Sequence, residues 1–366
     1  MDHAGRLKRL RSGLEENGLD SLLVTHLPNV HYLCGFTGSA GALLVSDRDC
    51  VLFTDGRYRT QAKEELAHAG VRNVQIVIAT KSPLIAAAEW LAARRDARPT
   101  LGVESHVISA EMRDRVAALL KGKVRLRPAG PLVERARMVK ELAEILRIRQ
   151  AVELGASLFA VACRKIRPGV PEVEVAAAME FKARCSGAEG MSFPTILAAG
   201  ARSAVVHGRA SKARIPRRGF VVCDFGVILA GYCSDRTRTV YVGRPSTEAR
   251  DFYQSVLDAQ LAAIAAVRAG VTAAEVDEAA RRVLRRRKLA RYFTHSTGHG
   301  LGLEIHEAPR LAAGQAQPLE PGMVITIEPG AYVPGKWGVR IEDVVVVTQS
   351  GCEVLTPSDK ELRSLE

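Results

Sequence analysis

No stretch of the 366 residues is apolar over the ~18–20 positions that a membrane-spanning helix needs. Aromatic side chains are scarce, at 5%, which leaves few flat rings on which unpaired bases could stack. Cysteines number seven, an odd count, and no Cys-x-x-Cys pair occurs. That pattern argues against a disulfide framework and against a zinc knuckle. Met1–Asp20 carries charges throughout and reads as an amphipathic helix rather than a secretory leader. Together these absences lead us to expect a cytoplasmic protein with no membrane partner.

Charge of one sign is not lacking, since 52 basic residues face 40 acidic ones for a net +12. Arg209–Arg218 and Arg281–Arg291 hold the densest clusters. No nucleic-acid-binding module accompanies them, so we read them as a solvated loop and a solvated helix face, with Val283, Leu284 and Leu289 as the buried stripe. No nucleic-acid partner is expected, and salt-sensitive binding to a duplex or single strand would test this.

What is present is ample material for a core. Hydrophobic residues make up 47% and charged ones 25%, and the length suits two domains. In the first third, periodicity predicts helices near 4–17, 82–95 and 109–121. Strands are predicted at Ser21–Thr25, Val74–Ala79 and Thr100–Val103, with a hairpin formed by Gly41–Ser46 and Cys50–Thr54. Arg127-Pro-Ala-Gly-Pro131 interrupts all periodicity, which places a domain boundary between 1–128 and 129–366. A long amphipathic helix starts within Lys140–Phe159.

The second part repeats itself. Arg167-Pro-Gly-Val-Pro-Glu-Val-Glu-Val175 returns as Arg268-Ala-Gly-Val-Thr-Ala-Ala-Glu-Val276. Gly219-Phe-Val-Val-Cys-Asp224 returns as Gly322-Met-Val-Ile-Thr-Ile-Glu328, and Asp235 answers Glu342. Three echoes in order at nearly constant offset predict two related halves, each a helix pair followed by paired strands. Asp224 would end one strand and Asp235 would lie on its partner, Tyr232–Val242. Glu328 and Glu342 would repeat the arrangement, with Glu342 on a strand Val339–Val347. A pseudo-twofold axis would then bring four carboxylates together, a cluster too repulsive to ionise without compensating cations. His299, flanked by glycines that let backbone approach a site, would add a neutral imidazole from the side. Asp224, Asp235, His299, Glu328 and Glu342 thus form a candidate cage for two divalent ions. Its oxygen-rich donor set suits Mn²⁺, with Co²⁺, Zn²⁺ and Fe²⁺ as alternatives.

Several segments extend this reading: His207-Gly, Cys223-Asp-Phe-Gly, Ser234-Asp-Arg-Thr-Arg-Thr, His295-Ser-Thr-Gly-His-Gly-Leu-Gly-Leu-Glu-Ile-His-Glu, Ile327-Glu-Pro-Gly and Val339-Arg-Ile-Glu-Asp. With them, residues from about 140 to 355 resemble the catalytic domain of the pita-bread metallopeptidases, the group of aminopeptidase P, prolidase and methionine aminopeptidase. Gly35-Phe-Thr-Gly-Ser-Ala-Gly and Leu52-Phe-Thr-Asp-Gly-Arg-Tyr resemble the N-terminal domain of aminopeptidase P and prolidase. The resemblance implies an α/β (α+β) chain: a small mixed N-terminal domain, then a pita-bread catalytic domain with duplicated halves. It implies metal-dependent hydrolysis of Xaa-Pro bonds in proline-containing peptides, and a homodimer.

The resemblance makes Xaa-Pro aminopeptidase the leading expectation and prolidase, acting on dipeptides, the alternative. A non-catalytic binding protein on the same fold is a rival from another class. Glu328 would shuttle a proton. His207, His295 and His306 match active-site histidines that are not primary ligands. Arg340 matches an arginine that supports the ligands, and Arg310 one that contacts a substrate carboxylate. Pro194, in Met191-Ser-Phe-Pro-Thr195, departs from the Asp common in relatives.

Overall fold

A computed structural model describes residues 1–71, 73–94, 99–356 and 359–366. The chain divides into two compact units, Met1–Arg137 and Met138–Glu366. Among the described residues no helix is long and apolar enough to cross a membrane.

The N-terminal unit runs α1 (His3–Glu16), β1 (Ser21–Val24), α2 (Leu27–Cys34), β2 (Gly41–Ser46), β3 (Cys50–Asp55), α3 (Arg59–His68), β4 (Gln75–Ala79), α4 (Pro83–Ala92), β5 (Thr100–Val103), α5 (Ala110–Leu120) and β6 (Arg125–Pro128). Helix α6 (Leu132–Met138) follows. Its six strands lie in the order β4-β3-β2-β1-β5-β6. The predicted hairpin is β2–β3, closed where the Ser46 amide donates to Asp49 O at 2.9 Å. Val51, Phe53, Leu44 and Leu101 bury one sheet face with Ala87 and Ala88 of α4 and Val116 of α5. The predicted end of the 82–95 helix, at Arg95, lies outside the described residues. Helices α2 and α3 escaped the sequence reading because they are short, at 8 and 10 residues. The strand β6 runs into Arg127–Pro131, where proline and glycine had hidden the pattern.

The C-terminal unit has two halves. The first contains α7 (Leu142–Lys165), α8 (Glu172–Cys185), β7 (Gly190–Met191), β8 (Ile196–Ala199), β9 (Gly219–Phe225), β10 (Val227–Leu229), β11 (Tyr232–Cys233) and β12 (Arg236–Val242). The second contains α9 (Thr247–Ala266), α10 (Ala273–Arg286), β13 (Gly298–Gly300), β14 (Glu307–Leu311), β15 (Val324–Ile327), β16 (Gly330–Val333), β17 (Trp337–Arg340), β18 (Asp343–Val347) and β19 (Cys352–Val354), and the chain then returns to the first half's sheet, where β20 (Ser364–Leu365) pairs with β12. Each half opens with a helix pair.

Local signals explain these helices. Thr272 and Glu275 close a capping box at the start of α10, and Ala273, Val276, Ala280 and Leu284 form its buried stripe. Glu141 and Glu144 do the same for α7. In the first half, α7 and α8 bury Ala151, Leu158, Val175 and Met179 against Leu197, Val221 and Val240 of the sheet. In the second, Ala259, Ala263, Val276 and Ala280 pack on Ile325, Ile327 and Val345. A third cluster joins the halves, with Phe220 and Tyr241 against Tyr253 and Val256 of α9 and against Val339 and Ile341.

The strand expectation needs one correction. Tyr232–Val242 and Val339–Val347 are not continuous strands. Each is split, into β11 and β12 and into β17 and β18, and the gaps fall at Asp235 and Glu342. Strand β9 pairs with β12 and β15 with β18, both antiparallel, whereas β10–β11 and β16–β17 fold off as small hairpins. A period-two pattern survives such a break, so alternation alone could not reveal it.

Candidate metal centre and cavity

The breaks put four carboxylates where the paired strands diverge. Asp224 sits near the end of β9, opposite Thr237 of β12. Asp235 fills the gap before β12, Glu328 follows β15, and Glu342 fills the gap before β18. His299 is central in β13, across from Arg310 of β14. The flanking glycines are obligatory there. A Cβ on Gly298 would lie 1.9 Å from Thr326 O, and one on Gly300 would lie 2.2 Å from Ala308 O.

These five side chains converge. His299 Nε2 lies 3.6 Å from Asp235 Oδ2 and 3.5 Å from Glu328 Oε1. Ligand atoms of Asp235, His299 and Glu342 all fall within 4.8 Å of one another. His299 Nδ1 lies 3.0 Å from the Gly300 carbonyl, which can only accept, so Nδ1 carries the proton and Nε2 presents its lone pair to the carboxylates.

Arg340 organises the cage from behind. It forms an ion pair with Asp224 Oδ2, and its Nε donates to Thr237 Oγ1 at 3.0 Å. Thr237 Oγ1 donates in turn to Glu342 Oε2 at 2.9 Å. One arginine thereby orients a carboxylate from each half. The opposite oxygens, Asp224 Oδ1 and Glu342 Oε1, are buried without a hydrogen-bond partner. Naked carboxylate oxygens inside a protein are costly, and divalent cations answer that cost.

The electrostatics agree. Burial, with Glu342, Asp224 and Glu328 close by, pushes the Asp235 carboxyl well above the usual range. Burial, then Glu328 and Asp224, does the same to Glu342. Burial raises Glu328 to about 8, with Arg340 opposing and Asp224 adding. Burial holds His299 down at about 4, so it is a neutral donor at pH 7. By contrast Asp343, beside Glu342, is saturated by Arg238 (2.7 Å), Lys360 (2.6 Å) and Gln260 (2.8 Å). It belongs to the framework.

A cavity of about 650 Å³ opens onto the cage. His207, His295, His306, Arg310 and Arg340 line it together with the five cage residues, so all ten residues singled out from the sequence meet there. Phe193, Pro194, Ile196 and Val206 supply an apolar wall. The His306 ring stands edge-on to His299, with centroids 4.4 Å apart.

Sequence reasoning missed Tyr332. Its hydroxyl takes a 2.6 Å hydrogen bond from Arg340 Nη1 and meets His295 Nε2 at 2.9 Å. Burial raises this phenol to about 12 and drops His295 to about 3, so both are neutral. Thr237 was missed too. Nothing in an alternating strand marks which hydroxyl faces a site.

This combination of duplicated halves, a carboxylate-histidine cage and an adjoining cavity defines a metal-dependent hydrolase. A profile of metallopeptidase family M24 matches residues 147–349, and one of the creatinase/prolidase N-terminal domain matches residues 6–139. An Xaa-Pro dipeptidase of Pyrococcus horikoshii is 35% identical over 98% of this chain and 98% of its own. Among solved structures, an Xaa-Pro dipeptidase from Bacillus anthracis shares 39% identity and a TM-score of 0.92, covering 100% of both chains. An X-Pro aminopeptidase from Thermotoga maritima shares 35% and 0.89, covering 98% of this chain and 99% of that one. The chain belongs to metallopeptidase family M24, the pita-bread peptidases, and carries a creatinase/prolidase-type N-terminal domain. Divalent metal ions go with that family.

Proposed function

We propose that this protein hydrolyses the Xaa-Pro bond, with Xaa-Pro dipeptides as preferred substrates and Asp224, Asp235, His299, Glu328 and Glu342 holding two divalent ions, Mn²⁺ first among them. The observation that carries the proposal is one cavity in which the four carboxylates and His299, three further histidines and a guanidinium with no ion-pair partner among the described residues, Arg310, face the same space.

An Xaa-Pro bond is a tertiary amide without an N–H, and it calls for a strong nucleophile. Bound divalent ions supply an activated water and polarise the carbonyl. The side chains do the rest. Glu328 takes a proton at its carboxylate and returns it to the departing proline nitrogen. His207 and His306 hold the substrate carbonyl and stabilise the negative charge that develops on its oxygen. Arg310 pairs with the C-terminal carboxylate of a dipeptide, a bidentate geometry its guanidinium suits. The apolar wall of Phe193, Pro194, Ile196 and Val206 receives apolar parts of the peptide.

Sequence alone placed the aminopeptidase first. The Pyrococcus and Bacillus relatives are named dipeptidases, which favours the shorter substrate, whereas the Thermotoga name keeps the aminopeptidase as the second reading. With Mn²⁺ restored, an Xaa-Pro dipeptide should turn over faster than an Xaa-Pro-Yaa tripeptide. The reverse order would favour the aminopeptidase, and cleavage of neither would refute Xaa-Pro hydrolysis.

A further inference from the structure

The Arg-x-Gly-Val repeat that precedes the second helix of each half lies outside the cage, yet each of those helices carries a buried carboxylate. Glu172, the first residue of α8, is 0% exposed, and Asp277 of α10 is 1% exposed. The repeat aligns Glu172 with Ala273, four residues before Asp277. Positions four apart share a helix face, so the two carboxylates occupy equivalent faces one turn apart. Neither belongs to the cavity wall.

Glu172 receives only donors. Its Oε1 accepts from the Ala199 amide at 2.9 Å and Arg202 Nε at 3.1 Å, and its Oε2 from Ser211 Oγ at 2.8 Å. Those donors sit at both ends of residues 199–211. Arg202 Nη2 then donates to Arg209 O at 3.0 Å, which ties the segment across its middle. The segment so held carries His207 to the cavity.

Asp277 repeats this in the second half. Its Oδ1 accepts from Thr297 Oγ1 at 2.7 Å, and its Oδ2 from Arg281 Nε at 2.7 Å. Arg281 Nη2 donates to His295 O at 2.6 Å, and its guanidinium lies 4.3 Å from the Phe293 ring centroid. Thr297 O in turn accepts the Glu328 amide at 2.7 Å. Arg281, expected on a solvated face, is instead part of this clamp.

We propose that Glu172 and Asp277 are positioning residues of the hydrolytic site, each a clamp that sets one half's histidine segment. The kinetic part of the claim rests on the peptidase reading above. An ionised carboxylate accepts at every lone pair, whereas an amide would turn an N–H toward the arginine donor. Glu172→Gln and Asp277→Asn therefore keep shape and break the clamp. Through His207, Glu172 governs how substrate is held. Through His295 and Glu328, Asp277 governs the chemical step.

The test uses the full chain loaded with diamagnetic Zn²⁺ for NMR of ¹⁵N-labelled histidine rings, with Mn²⁺ for kinetics. Metal content should stay at the wild-type level in both variants. The His207 resonances should shift in Glu172→Gln and the His295 resonances in Asp277→Asn. KM for an Xaa-Pro dipeptide should rise about tenfold in the first variant, and kcat should fall about tenfold in the second, as misplaced groups lose effective concentration. Unmoved histidine resonances with unchanged kcat and KM, and only a lower melting temperature, would overturn the proposal. If either variant fails to fold, Ser211→Ala and Thr297→Val remove a single donor each. Those should show the same split at about threefold, and unaltered kinetics and resonances in both would overturn it. If the wild-type chain cleaves no Xaa-Pro peptide, the peptidase reading fails, and the NMR arm still decides the clamp.

Discussion

Removing the metal and raising the pH from 6.5 to 8.5 should destabilise the C-terminal unit, while the metal-loaded protein holds its stability. The cause is the crowded cage. Glu328 is raised by burial from its ordinary 4.5 to about 8. A raised carboxylate keeps its proton in the native state after the unfolded chain has lost its own, so stability falls with rising pH between those two values. At about 1.4 kcal/mol per unit, Glu328 alone contributes on the order of 5 kcal/mol of destabilisation by alkaline pH, and about 2 kcal/mol of it falls between pH 6.5 and 8.5. Asp235 and Glu342, raised by burial and by their carboxylate neighbours, act in the same direction.

The histidines act oppositely but earlier. His299 at about 4 and His295 at about 3 bind fewer protons folded than unfolded, so their contribution grows up to pH 6.5 and is level above it. Above pH 6.5 the carboxylate effect therefore dominates. For a unit of this size, about 2 kcal/mol moves the melting temperature by roughly 4–8 °C. Scanning calorimetry of chelator-treated and Mn²⁺-loaded protein across that window measures both curves. A metal-free melting temperature that stays level or rises with pH would refute the cage electrostatics.

Three further outcomes follow from the same geometry. Glu328→Gln should lower kcat by about 10²–10⁴-fold, the usual weight of a general acid–base group; turnover retained at full metal occupancy would remove Glu328 from the proton path. Thr237→Val cuts the link between Arg340 and Glu342 and should weaken Mn²⁺ binding by about 10–100-fold in calorimetric titration; unchanged affinity would show that Glu342 needs no such support. Arg310→Ala should raise KM for an Xaa-Pro dipeptide by roughly tenfold or more, since it removes a charge-assisted pair. An equal loss for a dipeptide amidated at its C-terminus would exclude carboxylate recognition.

Much of this protein was determined by sequence alone, and the reason is periodicity and repetition. The echo between Gly219–Asp224 and Gly322–Glu328 survives because both strands must bury the same apolar face beneath a helix pair, so the duplication stays legible. Glycines flanking His299 are legible for a related reason: no side chain fits against Thr326 O or Ala308 O.

Tertiary structure alone decided the rest. Asp235 and Glu342 stand at breaks between strands, because the chain must leave one ladder and enter another there, and alternation is blind to such a change. Tyr332, Thr237, Glu172 and Asp277 gain their roles from partners 4 to 105 positions away, such as the Thr237–Glu342 hydrogen bond with a separation of 105. Arg281 looked like one charge in a basic run, yet its three-dimensional neighbours are Asp277, Phe293 and the His295 carbonyl. Residue type and spacing specify which groups can bind metal or move protons. Only long-range packing decides which groups hold those residues in place, because a hydrogen bond between distant segments leaves no period in the chain.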